Sequence, residues 1–190
     1  MRAARTVEHE GEELMKKKLT ITLALILALS AALMGCAKGP GAEDTKLSGA
    51  TNDILAAVFK SSGLDFMTFD EQVTEETSES FLGLTPEQMK ENVDDAYVTT
   101  AAINVHAHLT ALVKAKDAAA AQKVKELIAE NFDSGRWICV FPEQSLVIDS
   151  GAYVLLVSSS KEEGDALKNA FVELAGEKSV GEENLFFTGL

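Results

Sequence analysis

The chain has 190 residues, 17 of them Lys or Arg and 30 Asp or Glu, for a net charge of −13 at neutral pH. So acidic a chain repels phosphate backbones and anionic headgroups, which argues against nucleic-acid binding and against a polybasic membrane contact, and leaves cationic partners open. The two cysteines, Cys36 and Cys139, offer no disulfide framework, so a folded domain must rest on its own hydrophobic core.

Lys16, Lys17 and Lys18 precede an apolar run from Leu19 to Leu33 that is interrupted by Thr20, Thr22 and Ser30. This is the layout of a secretory signal, and the run falls short of the roughly 20 apolar residues that a membrane span requires. Glu8, Glu10, Glu12 and Glu13 put negative charge where such a signal wants positive charge, which favours Met15 as the start. The run ends in Leu33-Met34-Gly35-Cys36, which resembles a bacterial lipobox, with Met34 the one departure. The resemblance implies cleavage between Gly35 and Cys36 and a diacylglyceryl thioether on Cys36. Two acyl chains at about 0.8 kcal/mol per buried methylene hold a protein stably on a membrane. Residues 1–35 hold five of the basic and four of the acidic residues, so the remainder carries 12 against 26, a net charge of −14.

Residues 36–50 contain Gly39, Pro40, Gly41 and Gly49 and are expected to form a flexible tether. Thr51 or Asn52 can cap a helix whose Ile54, Leu55, Val58 and Phe59 share one face, with Gly63 ending it. From Leu64 to Gly83, which includes the acidic stretch Glu71 to Glu79, no periodicity stands out and the segment reads as irregular or weakly strand-like, with Glu75, Glu76 and Glu79 in a solvated acidic loop. Thr85, Pro86 and Gln88 make a capping signal for a short helix running to about Asp95. Residues 51–96 therefore read as a helical extension.

Period-two alternation from Tyr97 to Val105, resumed at Leu109, Ala111 and Val113, predicts two strands of a hairpin joined near His106 to His108. Asp117 caps a helix lined by Ala121, Val124, Leu127, Ile128 and Phe132 that ends near Gly135. Trp137–Phe141, Leu146–Ile148 and Tyr153–Val157 read as three strands, the last buried on both faces. Ser160 and Glu163 form a second capping box, opening a helix with Leu167, Ala170, Phe171 and Leu174 on its buried stripe and Gly176 at its close. The order β-β-α-β-β-β-α over residues 97–176 predicts an α+β, two-layer domain with helices on one face of a sheet. Residues 177–190 are expected to be a mobile tail, with Leu185, Phe186 and Phe187 able to dock on the body.

Three segments, Ala101-Ala102-Ile103 with Leu112 to Asp117, Arg136 to Val140, and Gly151 to Val157, give residues 97–176 a further likeness. They are similar to an uncharacterised domain carried by many small lipoproteins of Clostridia and related Firmicutes. These are core and turn residues, so the resemblance implies a fold and a lipoprotein of the cell envelope, and no catalytic residues.

Among residue types that do chemistry, His106 and His108 have a spacing usable by a metal, but no third ligand is fixed by the sequence and hairpin-turn histidines facing solvent are the expectation. Cys139 sits in Trp137-Ile138-Cys139-Val140-Phe141, an apolar context that predicts a buried, inert thiol. No G-x-S-x-G elbow, phosphate loop, calcium loop or paired-cysteine motif occurs, and Asp133-Ser134-Gly135 and Asp149-Ser150-Gly151 are turn chemistry. The expectation is a non-catalytic module, lipid-anchored on the extracytoplasmic face of the cell membrane. It would bind an envelope protein or small ligand and need no cofactor. The alternatives are a metal- or thiol-dependent envelope enzyme using His106 and His108 or Cys139, and a structural envelope or sporulation protein.

Overall fold

The computed structural model describes residues 45–103 and 105–189. The leader, the cleavage position Gly35 and the lipidation position Cys36 lie outside the described residues. No helix among the described residues is long and apolar enough to cross a membrane.

Helix α1 spans Thr51–Ser62, β1 Thr68–Gln72, α2 Ser78–Leu82, α3 Pro86–Asn92, β2 Val93–Ala101 and β3 Leu109–Ala115. They are followed by α4 Ala118–Asn131, β4 Gln144–Ser150, β5 Tyr153–Ser159, α5 Lys161–Ala175, a 3-10 turn Glu177–Ser179 and β6 Asn184–Thr188. The six strands form one sheet in the order β1-β2-β3-β5-β4-β6. Every neighbouring pair is antiparallel. The α+β class is as expected from the sequence.

The layering is richer than expected, because helices cover both faces of the sheet. On one face Ala96, Val98, Ala111, Val113, Val147, Val154 and Leu156 pack under Leu82, Met89, Val124 and Ile128 of α2, α3 and α4. On the other, Leu112, Leu146, Leu155 and Val157 pack under Leu55 and Val58 of α1 and Leu167 and Phe171 of α5. Alternate residues of β5 enter opposite cores, which is why all seven of its residues are buried. Residues 51–96 are thus no extension: α1 supplies a covering layer beside α5, and β1 pairs along β2 from Thr68↔Ala101 to Gln72↔Tyr97.

Local signals were read correctly where a cap is a contiguous motif. Thr85 Oγ1 accepts from Gln88 N–H while Gln88 Oε1 accepts from Thr85 N–H, and Asp117 Oδ1 accepts from Ala120 N–H. For α1 the cap is tertiary instead. Ala50 occupies the N-cap without a side-chain bond, and Asp95 of β2 accepts from both the N–H and the hydroxyl of Thr51, at 3.2 and 2.7 Å. An anion at a helix N-terminus is stabilised there by the unpaired N–H groups and the helix dipole.

Four expectations need correction. Helix α3 ends at Asn92 and β2 runs from Val93 to Ala101, about four residues earlier than its alternation suggested, because Thr100 pairs with Leu109 and the pattern continues uselessly into the loop. Trp137–Phe141 is not a strand but an irregular segment with Ile138 94% exposed. The stretch Leu64 to Gly83 contains β1 and α2. The C-terminal segment is ordered rather than a free tail: β6 pairs with β4, and Phe186 meets Phe132 at 6.1 Å. Lys125 of α4 reinforces it by donating to Asp149 of β4 at 2.5 Å, both residues being buried, and to the carbonyl of the exposed Glu182 at 2.7 Å.

At Gly83 the backbone turns with φ 71°, and a Cβ there would lie 2.6 to 2.7 Å from backbone atoms of Asn131 and Phe132. The corner between α2 and α3 can therefore touch the end of α4 only through glycine.

Candidate functional site

At the end of the sheet where β2 turns into β3, the loop between these strands and the start of α5 bring polar side chains together. His106 lies in the turn, His108 immediately before β3, and Glu163 in the first turn of α5. Glu163 sits where it does because Ser160 Oγ accepts from its N–H, starting the helix, and because Gly164 follows. A Cβ at Gly164 would collide with Gln144 Nε2 and crowd Ser159 Oγ at 3.3 Å, so glycine lets the first turn of α5 press onto β4 and β5.

The expected capping box is only half made. Ser160 does its part, but the Glu163 carboxylate turns away and joins the two imidazoles. Its Oε1 is 2.6 Å from His106 Nε2 and its Oε2 is 3.0 Å from His108 Nδ1. On the far side His108 Nε2 is 3.1 Å from Thr110 Oγ1. These contacts assign a consistent proton arrangement: Thr110 O–H donates to His108 Nε2, and His108 Nδ1–H and His106 Nε2–H donate to Glu163.

The electrostatics agree with it. Burial raises the pKa of Glu163, but hydrogen bonds and charge from His108 and His106 outweigh this and hold it below the ordinary carboxylate value. Burial pushes the imidazolium pKa of His108 down despite Glu163, which favours the neutral ring. Apolar rings close around the pair. Phe66 lies edge-on to His106 and His108 at 4.6 and 4.8 Å, and Phe59 to His108 at 5.6 Å.

The cluster is open on one side. His106 is 27% and Glu163 16% exposed at the side chain, and both histidines line a cavity of about 520 Å³. Its other walls come from Phe69, Asp70 and Glu71 of β1, Phe81 of α2, and Arg136 and Trp137. The guanidinium of Arg136 stacks over the Phe81 ring at 5.3 Å and donates to the Ser80 carbonyl at 2.7 Å. Burial weakens its hold on the proton, and Asp133 opposes this. Beside the cavity Met67, Phe69, Ile103 and Val105 project into solvent.

His106 and His108 are therefore a converging pair, with His108 fully buried, rather than two solvent-facing turn residues. Glu163 is the ligand-type residue that sequence reasoning assigned elsewhere. Cys139, expected buried, is exposed on the irregular segment. Of the two Asp-Ser-Gly sequences, read as turns, the first is one, with Asp133 Oδ1 accepting from Gly135 N–H, but Asp149 and Ser150 are buried residues of β4 and only Gly151, at φ 60°, turns that strand into β5. Ser134, Ser145 and Ser158 form a buried hydroxyl chain at 2.9 and 2.8 Å.

Comparison with protein-family models, with curated proteins and with solved structures finds no match to this chain in any of the three.

Proposed function

We propose that the protein is a lipid-anchored, extracytoplasmic binding module whose ligand enters the cavity at the His106 and His108 end of the sheet. The observation that carries the binding role is the convergence of Glu163, from the first turn of α5, on His106 and His108 of the β2–β3 loop, two rings that line that cavity. A pocket of a few hundred Å³ with aromatic walls and a few convergent polar groups is the usual form of a small-molecule site. Rings of Phe69, Phe81 and Trp137 alternate here with charges of both signs, which suits a small ligand with an apolar part and a polar head.

The location rests on Leu33-Met34-Gly35-Cys36 behind a basic start and a short apolar run. The likeness to small lipoproteins of Clostridia and related Firmicutes points the same way. Met67 and Val105, 77% and 75% exposed, offer apolar contacts to an envelope protein, the alternative partner.

Mass spectrometry of the N-terminal peptide from the membrane fraction, wild type against Cys36→Ala, tests the anchor. A diacylglyceryl mass on Cys36 that disappears in the variant is expected; an unmodified or uncleaved N-terminus overturns the location. The ligand half is read from fluorescence of the sole tryptophan, Trp137, which lines the cavity.

A further inference from the structure

The His106, His108 and Glu163 cluster has more than hydrogen bonding available to it. We propose that it holds one divalent first-row transition ion of the zinc class, with the remaining coordination positions facing the cavity. This deepens the binding role proposed above and rests on the same site.

The donor set comes first. One nitrogen from each imidazole and one carboxylate oxygen all lie within 4.8 Å of one another. Two ligands on a tetrahedral zinc, at bonds of about 2.0–2.2 Å, lie roughly 3.3–3.6 Å apart, so gathering the three needs a closure of up to about 1.5 Å by side-chain rotation. His106, in the turn and partly exposed, is the residue free to make it. Two imidazoles disfavour calcium and magnesium, which take oxygen ligands, and suit zinc and its neighbours. Three protein ligands with open positions is the arrangement of an exchangeable or reactive site rather than a closed structural one.

The surroundings come second. A metal-bound imidazole needs a partner on its other nitrogen, and Thr110 Oγ1 stands 3.1 Å from His108 Nε2. A hydroxyl donates or accepts, so in the other tautomer His108 carries its proton on Nε2, donates it in a hydrogen bond to Thr110 Oγ1, and leaves Nδ1 free for the ion. Phe59 and Phe66 supply a dry wall against the rings, and Asp70 and Glu71 bring negative potential to the cavity through which a cation would enter. Glu163 meanwhile gives up its place in a capping box, a sacrifice that a helix start alone does not explain.

The test uses the full chain in detergent, stripped by a chelator and dialysed against Zn(II) alone, with elemental analysis of the protein. Co(II) alone provides a spectroscopic reading of coordination. One equivalent of zinc and Co(II) ligand-field bands displaced by zinc are expected. Loss of a ligand should cost at least what loss of an outer partner costs, so His106→Ala and Glu163→Gln should each weaken zinc binding by more than about 100-fold, and Thr110→Val by about 10- to 100-fold. Far-ultraviolet circular dichroism of the metal-free variants verifies their folding; His108, fully buried, is left intact for that reason.

Substoichiometric zinc in the wild type, or affinity unchanged in Glu163→Gln, overturns the inference and leaves the cluster a hydrogen-bonded clasp. The anchor fails separately: an unlipidated Cys36 with one equivalent of zinc removes the membrane location and keeps the metal, and the reverse pairing does the opposite.

Discussion

Asp149→Asn is expected to destabilise the domain by about 3–5 kcal/mol, because it strands a charge that has nowhere else to go. Lys125 and Asp149 are 8% and 11% exposed at their side chains, and when the carboxylate is replaced by an amide the ammonium retains only neutral acceptors, the Glu182 carbonyl and the amide oxygen at position 149. Lys125→Met strands the opposite charge at a similar cost. The double variant leaves no ion, only an amide lacking a partner, at about 1–3 kcal/mol. It should therefore be far more stable than the roughly 6–10 kcal/mol additive sum implies. Urea unfolding followed by circular dichroism measures all three, and high salt should leave the differences intact since the pair is shielded from solvent. Lys123→Ala, which breaks an exposed pair with Glu91, is the control and should cost about 0–1 kcal/mol. Single variants that each cost under about 1 kcal/mol, or a double variant equal to their sum, would refute the account of this pair as an isolated buried charge couple.

Glycines at two helix ends should separate cleanly. Gly63→Ala, at φ 72° in open space, should cost about 1–2 kcal/mol for the left-handed backbone alone. Gly83→Ala must also displace the end of α4 and should cost more; equal losses in urea unfolding would show that the backbone contact at Asn131 relaxes freely. For Asp95, burial raises the carboxyl pKa, yet hydrogen bonds from Thr51 and Gln72 prevail and hold it below its ordinary value. Its native pKa is thus lower than its unfolded one, so the contribution is complete above about pH 4 and is lost as pH falls through the native value. Thr51→Val removes the hydroxyl donor and should reduce it, by less than about 1 kcal/mol at this partly exposed site, while the N–H of residue 51 and Gln72 keep their bonds; parallel stability curves for the two proteins from pH 5 to about pH 2 would contradict this.

What the sequence made legible were features carried by neighbours in the chain. The caps at Thr85 and Asp117 and the stripe Leu167, Ala170, Phe171 appear as read, and Ser160 caps its helix although Glu163 does not complete the box. The continuous apolar run Tyr153–Val157 already implied cover on both faces, and the covering helix α1 was legible too; only their juxtaposition was not, since no local pattern says that α1 lies against α5. The site was half legible for the same reason. His106 and His108 stand out by spacing, whereas Glu163 is 55 residues beyond His108 and its position beside Ser160 offered a complete local explanation. Cys139 misled because apolar neighbours usually mean burial, but Ile138 and Phe141 are themselves exposed here.

The acidic stretch gains a meaning from where β1 lies. It is an outer strand of the sheet, and among the described residues no strand pairs with one row of its backbone N–H and C=O groups, the kind of border along which a second copy could extend the sheet. Asp70 and Glu71 sit on that strand, and Glu75, Glu76 and Glu79 follow it. A neighbouring β1 docking there would press carboxylates against carboxylates, and like charges facing across a strand pair are destabilising. Crowded together on a surface, these molecules would repel along the border where they are otherwise most prone to polymerise.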